Sequence, residues 1–187
     1  MTNKNLKDFW EAICDDLKIK PHGNLFKITE EKKESPIKEI NFTFKNKDDV
    51  LILRQKEKTH TIKFFKGNSV STDSHCDFIV FLKINDGLRI CFCEIKPSVE
   101  YIDKAVLQLK SSKLFLEYLL KCYRDYFNID CFTKFNLDDI SKKYYIYPKI
   151  NISSKKPVCY CSDILMEAVS ADKDGIVDIP NGYSFFK

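Results

Sequence analysis

Residues 76–120 read CDFIVFLKINDGLRICFCEIKPSVEYIDKAVLQLKSSKLFLEYLL, and this stretch constrains the chain more than any other. It holds two apolar runs separated by Asn85-Asp86-Gly87. Short apolar runs bounded by turn residues read as buried strands. Asn, Asp and Gly tolerate the positive φ of a tight hairpin turn. A long amphipathic segment starts just after Pro97. The stretch therefore predicts strand, hairpin, strand, helix. Three ionisable groups, Asp77, Glu94 and Lys96, sit in it where a core should hold only apolar ones.

Alternation sorts these residues onto faces, because residues two apart on a strand share one. Cys91, Cys93 and Ile95 point one way, and Phe92, Glu94 and Lys96 the other. On the preceding strand Cys76, Phe78 and Val80 share one face, and Asp77, Ile79 and Phe81 the other. Pairing through the turn lets Asp77 face Glu94. Two buried carboxylates side by side need a cation, and Mg²⁺ suits oxygen ligands of this kind. The Lys96 ammonium would then meet a phosphate or a metal-bound water. The plainer reading is that all three are solvent-facing charges on a half-exposed sheet.

Asp77, then Glu94-Ile95-Lys96, then a helix carrying Gln108 resembles the PD-(D/E)XK nuclease superfamily over residues 76–123 or so. The resemblance implies an α/β fold with a restriction-endonuclease-like core: a mixed β-sheet flanked by helices, in the order helix, three strands, helix, strand. It implies Mg²⁺ or Mn²⁺ held by Asp77, Glu94 and the backbone carbonyl of Ile95, with Glu11 in the first helix as a candidate assisting acid. Lys96 would orient or activate the attacking water, and Gln108 would join the catalytic set. The implied activity is metal-dependent hydrolysis of phosphodiester bonds in nucleic acid, with DNA ahead of RNA, in restriction, repair or defence against foreign DNA. Cys76 stands where the family pattern has Pro. A catalytically inactive module of the same fold, binding nucleic acid or protein, is the alternative. An interaction protein with incidental charges is a third.

The 187 residues suffice for one domain with a real core, and no linker or repeat divides residues 1–187. A formal charge of +4 is too small for a basic nucleic-acid coat. No apolar run reaches the roughly 18 residues of a membrane span, and MTNKNLKDFWEAI lacks a signal-peptide core. The expected location is the cytoplasm, where the eight cysteines should be free thiols. Cys91-x-Cys93 and Cys159-x-Cys161 are spaced too closely for ordinary structural zinc. No Walker loop, Gly-x-Ser-x-Gly or dinucleotide-binding glycine pattern occurs. A homodimer and a subunit of a larger complex both stay open.

Along the rest of the chain, Leu6, Phe9, Trp10, Ile13 and Leu17 recur at helical spacing within residues 5–18. Glu11 lies off that stripe and reads equally as a solvated acid. Residues 25–39 look like a lysine-rich loop, and 40–45, 50–54 and 59–66 like short antiparallel strands. His75 would share the Asp77 face, where a lone His is more often just polar. Ser98 is placed to cap the helix that follows Pro97, which runs to about residue 128. Val106, Leu109, Leu116, Leu120 and Tyr123 form its core stripe, with Gln108 and Ser112 on an adjacent face. Residues 143–152 read as a strand, with Pro148 at a bulge or a sheet edge. Lys149, Lys155 and Lys156, with Lys142 and Lys143, form a basic patch for nucleic acid, although such runs are usually only solvated. Residues 162–169 suggest a short helix, and GIVDIPNGYSFFK a last strand and an aromatic plug.

Overall fold

A computed structural model describes residues 3–30, 32, 34–55, 74–85, 87–130, 136–149 and 163–187. In chain order these form α1 (Asn3–Ala12), β1 (Leu25–Thr29), β2 (Glu39–Thr43), β3 (Val50–Leu53), β4 (Phe78–Ile84) and β5 (Gly87–Ile95). They continue with α2 (Ile102–Phe127), α3 (Leu137–Ile140), β6 (Ser141–Pro148), β7 (Ile164–Val169), β8 (Ile176–Ile179) and α4 (Gly182–Phe185). The architecture is α/β, with mixed sheets flanked by helices.

The larger sheet has the order β3-β4-β5-β6-β7. β3, β4 and β5 run antiparallel, and β6 and β7 continue parallel to β5. The β4–β5 hairpin closes with Ile84 opposite Gly87, and Asn85 takes a φ of 53° in the turn. A parallel neighbour for β5 requires a long crossover, which α2 supplies. That helix ends at Asn128, in the left-handed conformation at φ 53°. The smaller sheet, β1-β2-β8, pairs β1 with β2 antiparallel and β2 with β8 parallel.

Strand alternation divides the core in two. Ile79, Phe81, Ile90 and Phe92 face α1 and α2, where they meet Leu6, Phe9, Leu109 and Leu116. Phe78, Val80, Cys91, Cys93 and Ile95 face the small sheet, where they meet Phe26, Ile28, Ile40 and Phe42. The result is three layers: helices, large sheet, small sheet. Phe186 is fully buried in the second core beside Phe42 and Tyr144. The expected terminal strand and aromatic plug are thus β8 and the α4 segment.

Several expectations need correction. Residues 25–39 are not all loop: Phe26 and Ile28 are buried in β1 while Lys27 and Thr29 face out, an alternation hidden by the surrounding lysines. Residues 164–169 form strand β7 rather than a helix, because β6 offers them a parallel edge. The first helix stops at Ala12, and Asp15–Leu17 forms a separate 3-10 turn. Pro148 lies on an interior strand, tolerated because it is the last residue of β6. Ser98 makes no side-chain cap; it precedes a 3-10 turn, Val99–Tyr101, that leads into α2. The strand expected at 59–66 lies outside the described residues.

Candidate active site

The hairpin register decides where the acids fall. Phe78 pairs with Cys93, so one residue further Asp77 comes opposite Glu94. The backbone N–H of Ile95 donates to Asp77 Oδ2 at 2.5 Å, which fixes that carboxylate beside the Glu94-Ile95-Lys96 segment. Leu53 pairs with Ile79, so the extended register sets Gln55 opposite Asp77. On the other side Glu94 pairs with Tyr145. Gln55, Asp77, Glu94 and Tyr145 thus form a row across four neighbouring chain segments, on the face that α2 covers.

Glu94 is fully buried and Lys96 is 4 % exposed. The Lys96 ammonium donates to Glu94 Oε1 and, at 2.8 Å, to Gln108 Oε1. Gln108 Nε2 in turn donates to the His75 carbonyl at 2.9 Å. Asp77, Glu94, Lys96 and Gln108 are therefore brought together. The other Glu94 oxygen, Oε2, is buried without a hydrogen-bond partner. Burial pushes the Glu94 carboxyl up to about 8, helped by the Asp77 charge and opposed by Lys96. Burial likewise lifts Asp77 to about 6, with the Ile95 N–H opposing it and the Glu30 charge adding to it. Withdrawing Glu94 fully and Asp77 partly from water disfavours their charged forms, and like charges side by side disfavour each other.

Not every expected residue joins. Glu11 is on the exposed side of α1, its side chain 63 % accessible and paired with Lys7. The structure does not bring it to Asp77 and Glu94, because α1 turns Leu6 and Phe9 inward instead. Cys76 does not share the Phe78 face; it lies in the helix-side core, where its N–H reaches Ser112. His75 contributes its backbone carbonyl to Gln108. Lys149 is exposed just past β6, at the same end of the sheet as Lys96. Lys142 and Lys143 lie at the opposite end of β6, roughly 20 Å away at about 3.3 Å per residue. They are engaged by the Lys187 carbonyl and Asp163. The proposed patch is therefore not continuous along β6. Lys155 and Lys156 lie outside the described residues.

Other residues near the acids were not among the expected site residues. Glu30, Lys32, Glu34 and Ser35, from the connection after β1, line a cavity of about 110 Å³ whose other wall includes Lys96 and Pro97. Lys32 holds both carboxyls down electrostatically. Gln55 and Ser112 are buried behind Asp77 and hydrogen-bonded to each other at 3.1 Å. All of these come from segments distant in sequence, so only the pairing of β3 with β4 and the packing of α2 bring them in.

Among the described residues no three His, Cys, Asp or Glu side chains cluster as a metal site. The donor set here is smaller: two carboxylates and the Ile95 backbone. That suits Mg²⁺, which keeps several waters and binds through one or two carboxylates. The unpartnered Glu94 oxygen fits the same ion, since a cation would satisfy it. No protein-family model matches the sequence, and no curated protein or solved structure matches it.

Proposed function

We propose that the protein is a metal-dependent nuclease of the PD-(D/E)XK type, hydrolysing phosphodiester bonds in nucleic acid. The observation that carries this reading is the buried Glu94 carboxylate. It lies opposite Asp77 with one oxygen on Lys96 and the other unpartnered. A chain built only for stability has little reason to bury one acid fully and set a second, half-buried one opposite it, because the cost of desolvation can exceed what one lysine returns. With β1 and β2 intervening after α1, and α3 before β6, the elements of the large-sheet layer follow as α1, β3-β4-β5, α2, β6, an order of helix, three strands, helix, strand that supports the reading.

Asp77, Glu94 and the Ile95 carbonyl would hold Mg²⁺ or Mn²⁺. That ion would supply an activated water and offset charge on the scissile phosphate. Lys96, held by Glu94 and Gln108, keeps an ammonium fixed beside both carboxylates. A preorganised cation there stabilises developing negative charge without reorganising. Gln108 sets the Lys96 position from the helix side. Lys32, which lines the cavity with Lys96, and Lys149, exposed beyond the same end of the sheet, would meet substrate backbone.

The enclosure of Lys96 favours a second reading, an inactive module of the same fold, in which Glu94 and Lys96 are a structural pair. The test is cleavage of single-stranded DNA, duplex DNA and RNA with Mg²⁺ or Mn²⁺. Cleavage abolished by Asp77→Asn supports the nuclease. Binding without cleavage of any of them supports the module.

A further inference from the structure

We propose that Ser112 is a positioning residue for Asp77, acting with Gln108 as a two-point clamp on the His75–Cys76 peptide, one residue before it. The proposal rests on the nuclease reading above. Gln108 and Ser112 are four residues apart on α2 and so project from the same helix face. Gln108 Nε2 donates to the His75 carbonyl at 2.9 Å. The Cys76 N–H donates to Ser112 Oγ at 2.8 Å. These are the two ends of one peptide unit, so one helix face holds both its oxygen and its nitrogen. Asp77 follows directly, before β4 begins at Phe78. The chain leading into it is thus fixed from the helix side while its carboxylate is fixed from the strand side by the Ile95 N–H.

The clamp is itself anchored. Ser112 is fully buried, and its hydroxyl proton is directed to Gln55 Oε1 at 3.1 Å. Gln55 is 5 % exposed and follows β3, opposite Asp77 in the extended register. The hydroxyl therefore uses its donor on Gln55 and its acceptor on Cys76, and an alanine would leave both buried partners unmatched. Gln108 also accepts from Lys96. The same helix turn thus fixes the lysine and the segment carrying the aspartate, and their spacing is set by one rigid element. Positioning of this kind works through geometry: a displacement of about 1 Å in a reacting group can cost a hundredfold.

The test uses the full chain with Ser112→Ala, Ser112→Thr and, as a control, Val106→Ala. Val106 is partly buried on the same helix and takes no part in the clamp. Three readouts are compared: amide hydrogen exchange at Cys76, Mn²⁺ titration by paramagnetic resonance, and kcat for DNA cleavage against KM. Ser112→Ala should exchange the Cys76 amide at least tenfold faster than wild type or Val106→Ala. It should bind Mn²⁺ more weakly, and lower kcat at least tenfold with KM little changed. Ser112→Thr, which restores the hydroxyl, should recover these toward wild type. Unchanged Cys76 exchange in folded Ser112→Ala overturns the clamp, and so do Mn²⁺ affinity and kcat equal to those of Val106→Ala. If Ser112→Ala does not fold, Gln55→Leu, which releases the hydroxyl from its anchor, is measured instead with the same expected directions. If wild type cleaves nothing, the nuclease reading fails, and exchange with Mn²⁺ binding still decides the clamp.

Discussion

Glu94→Gln should change how the stability of the metal-free protein depends on pH. Glu94 is fully buried, and burial with the Asp77 charge raises its carboxyl from 4.5 to about 8. In the unfolded chain the same group titrates near its ordinary value. Between those limits the folded state holds a proton that the unfolded state has lost. Stability is therefore fully present below the unfolded value and is lost as pH rises through the folded one. One such proton gives a slope of about 1.4 kcal/mol per pH unit. Across the window the loss is on the order of a few kcal/mol. Asp77, raised to about 6, acts with the same sign over the lower part. The acids Asp15, Asp125 and Asp163, held low by neighbouring cations, act with the opposite sign but only below about pH 4. Glutamine keeps the shape and removes the ionisation. Urea unfolding with chelator present, at about pH 5 and about pH 8, should show wild type losing stability and Glu94→Gln losing much less. Equal pH dependence in the two proteins refutes the reasoning. Adding Mg²⁺ should stabilise wild type more at the higher pH, because the ion binds the deprotonated pair.

Two other predictions concern the scaffold. In the native protein Cys14, which is exposed, should react readily with a thiol reagent, while Cys76, Cys91 and Cys93 should resist because burial holds their thiols protonated; thiol titration before and after unfolding checks this, and fast native labelling of the buried three contradicts it. Gly182→Ala should destabilise the protein by about 1–3 kcal/mol, as overpacking does, because a Cβ there overlaps the Phe44 ring; an unchanged denaturation midpoint contradicts it.

The sequence carried the centre of the fold because the local signals there were strong. Asn85 in the turn and the two-residue period of β4 and β5 gave the hairpin, and with it the placement of Asp77 opposite Glu94. The long apolar spacing after Pro97 gave α2 and the site-facing Gln108. What was illegible depended on tertiary partners. β7 is six residues whose apolar content suits helix or strand until β6 lies beside it. β1 is five residues diluted by lysine. Ser112 reads only as a residue beside the core stripe, yet it is fully buried and accepts from the Cys76 N–H. Glu11 was an acid on the expected element, but the rotation of α1 sends it outward. The Glu30–Ser35 wall of the cavity could not be read without the packing of β1 and β2 under the large sheet.

The central claim is that Asp77, Glu94 and Lys96 do chemistry on a phosphodiester. Its most direct test is cleavage and binding of the same labelled DNA and RNA, with and without Mg²⁺, by wild type, Asp77→Asn and Lys96→Ala. The account predicts Mg²⁺-dependent cleavage by wild type and almost none by Asp77→Asn. Lys96→Ala should be slower by about a hundredfold or more, the usual cost of losing one preorganised stabiliser. Binding should persist in all three, because backbone affinity comes mostly from other basic groups. If wild type binds but never cleaves with Mg²⁺ or Mn²⁺, and neither substitution changes anything, the account is contradicted and Asp77 and Glu94 belong to a binding module.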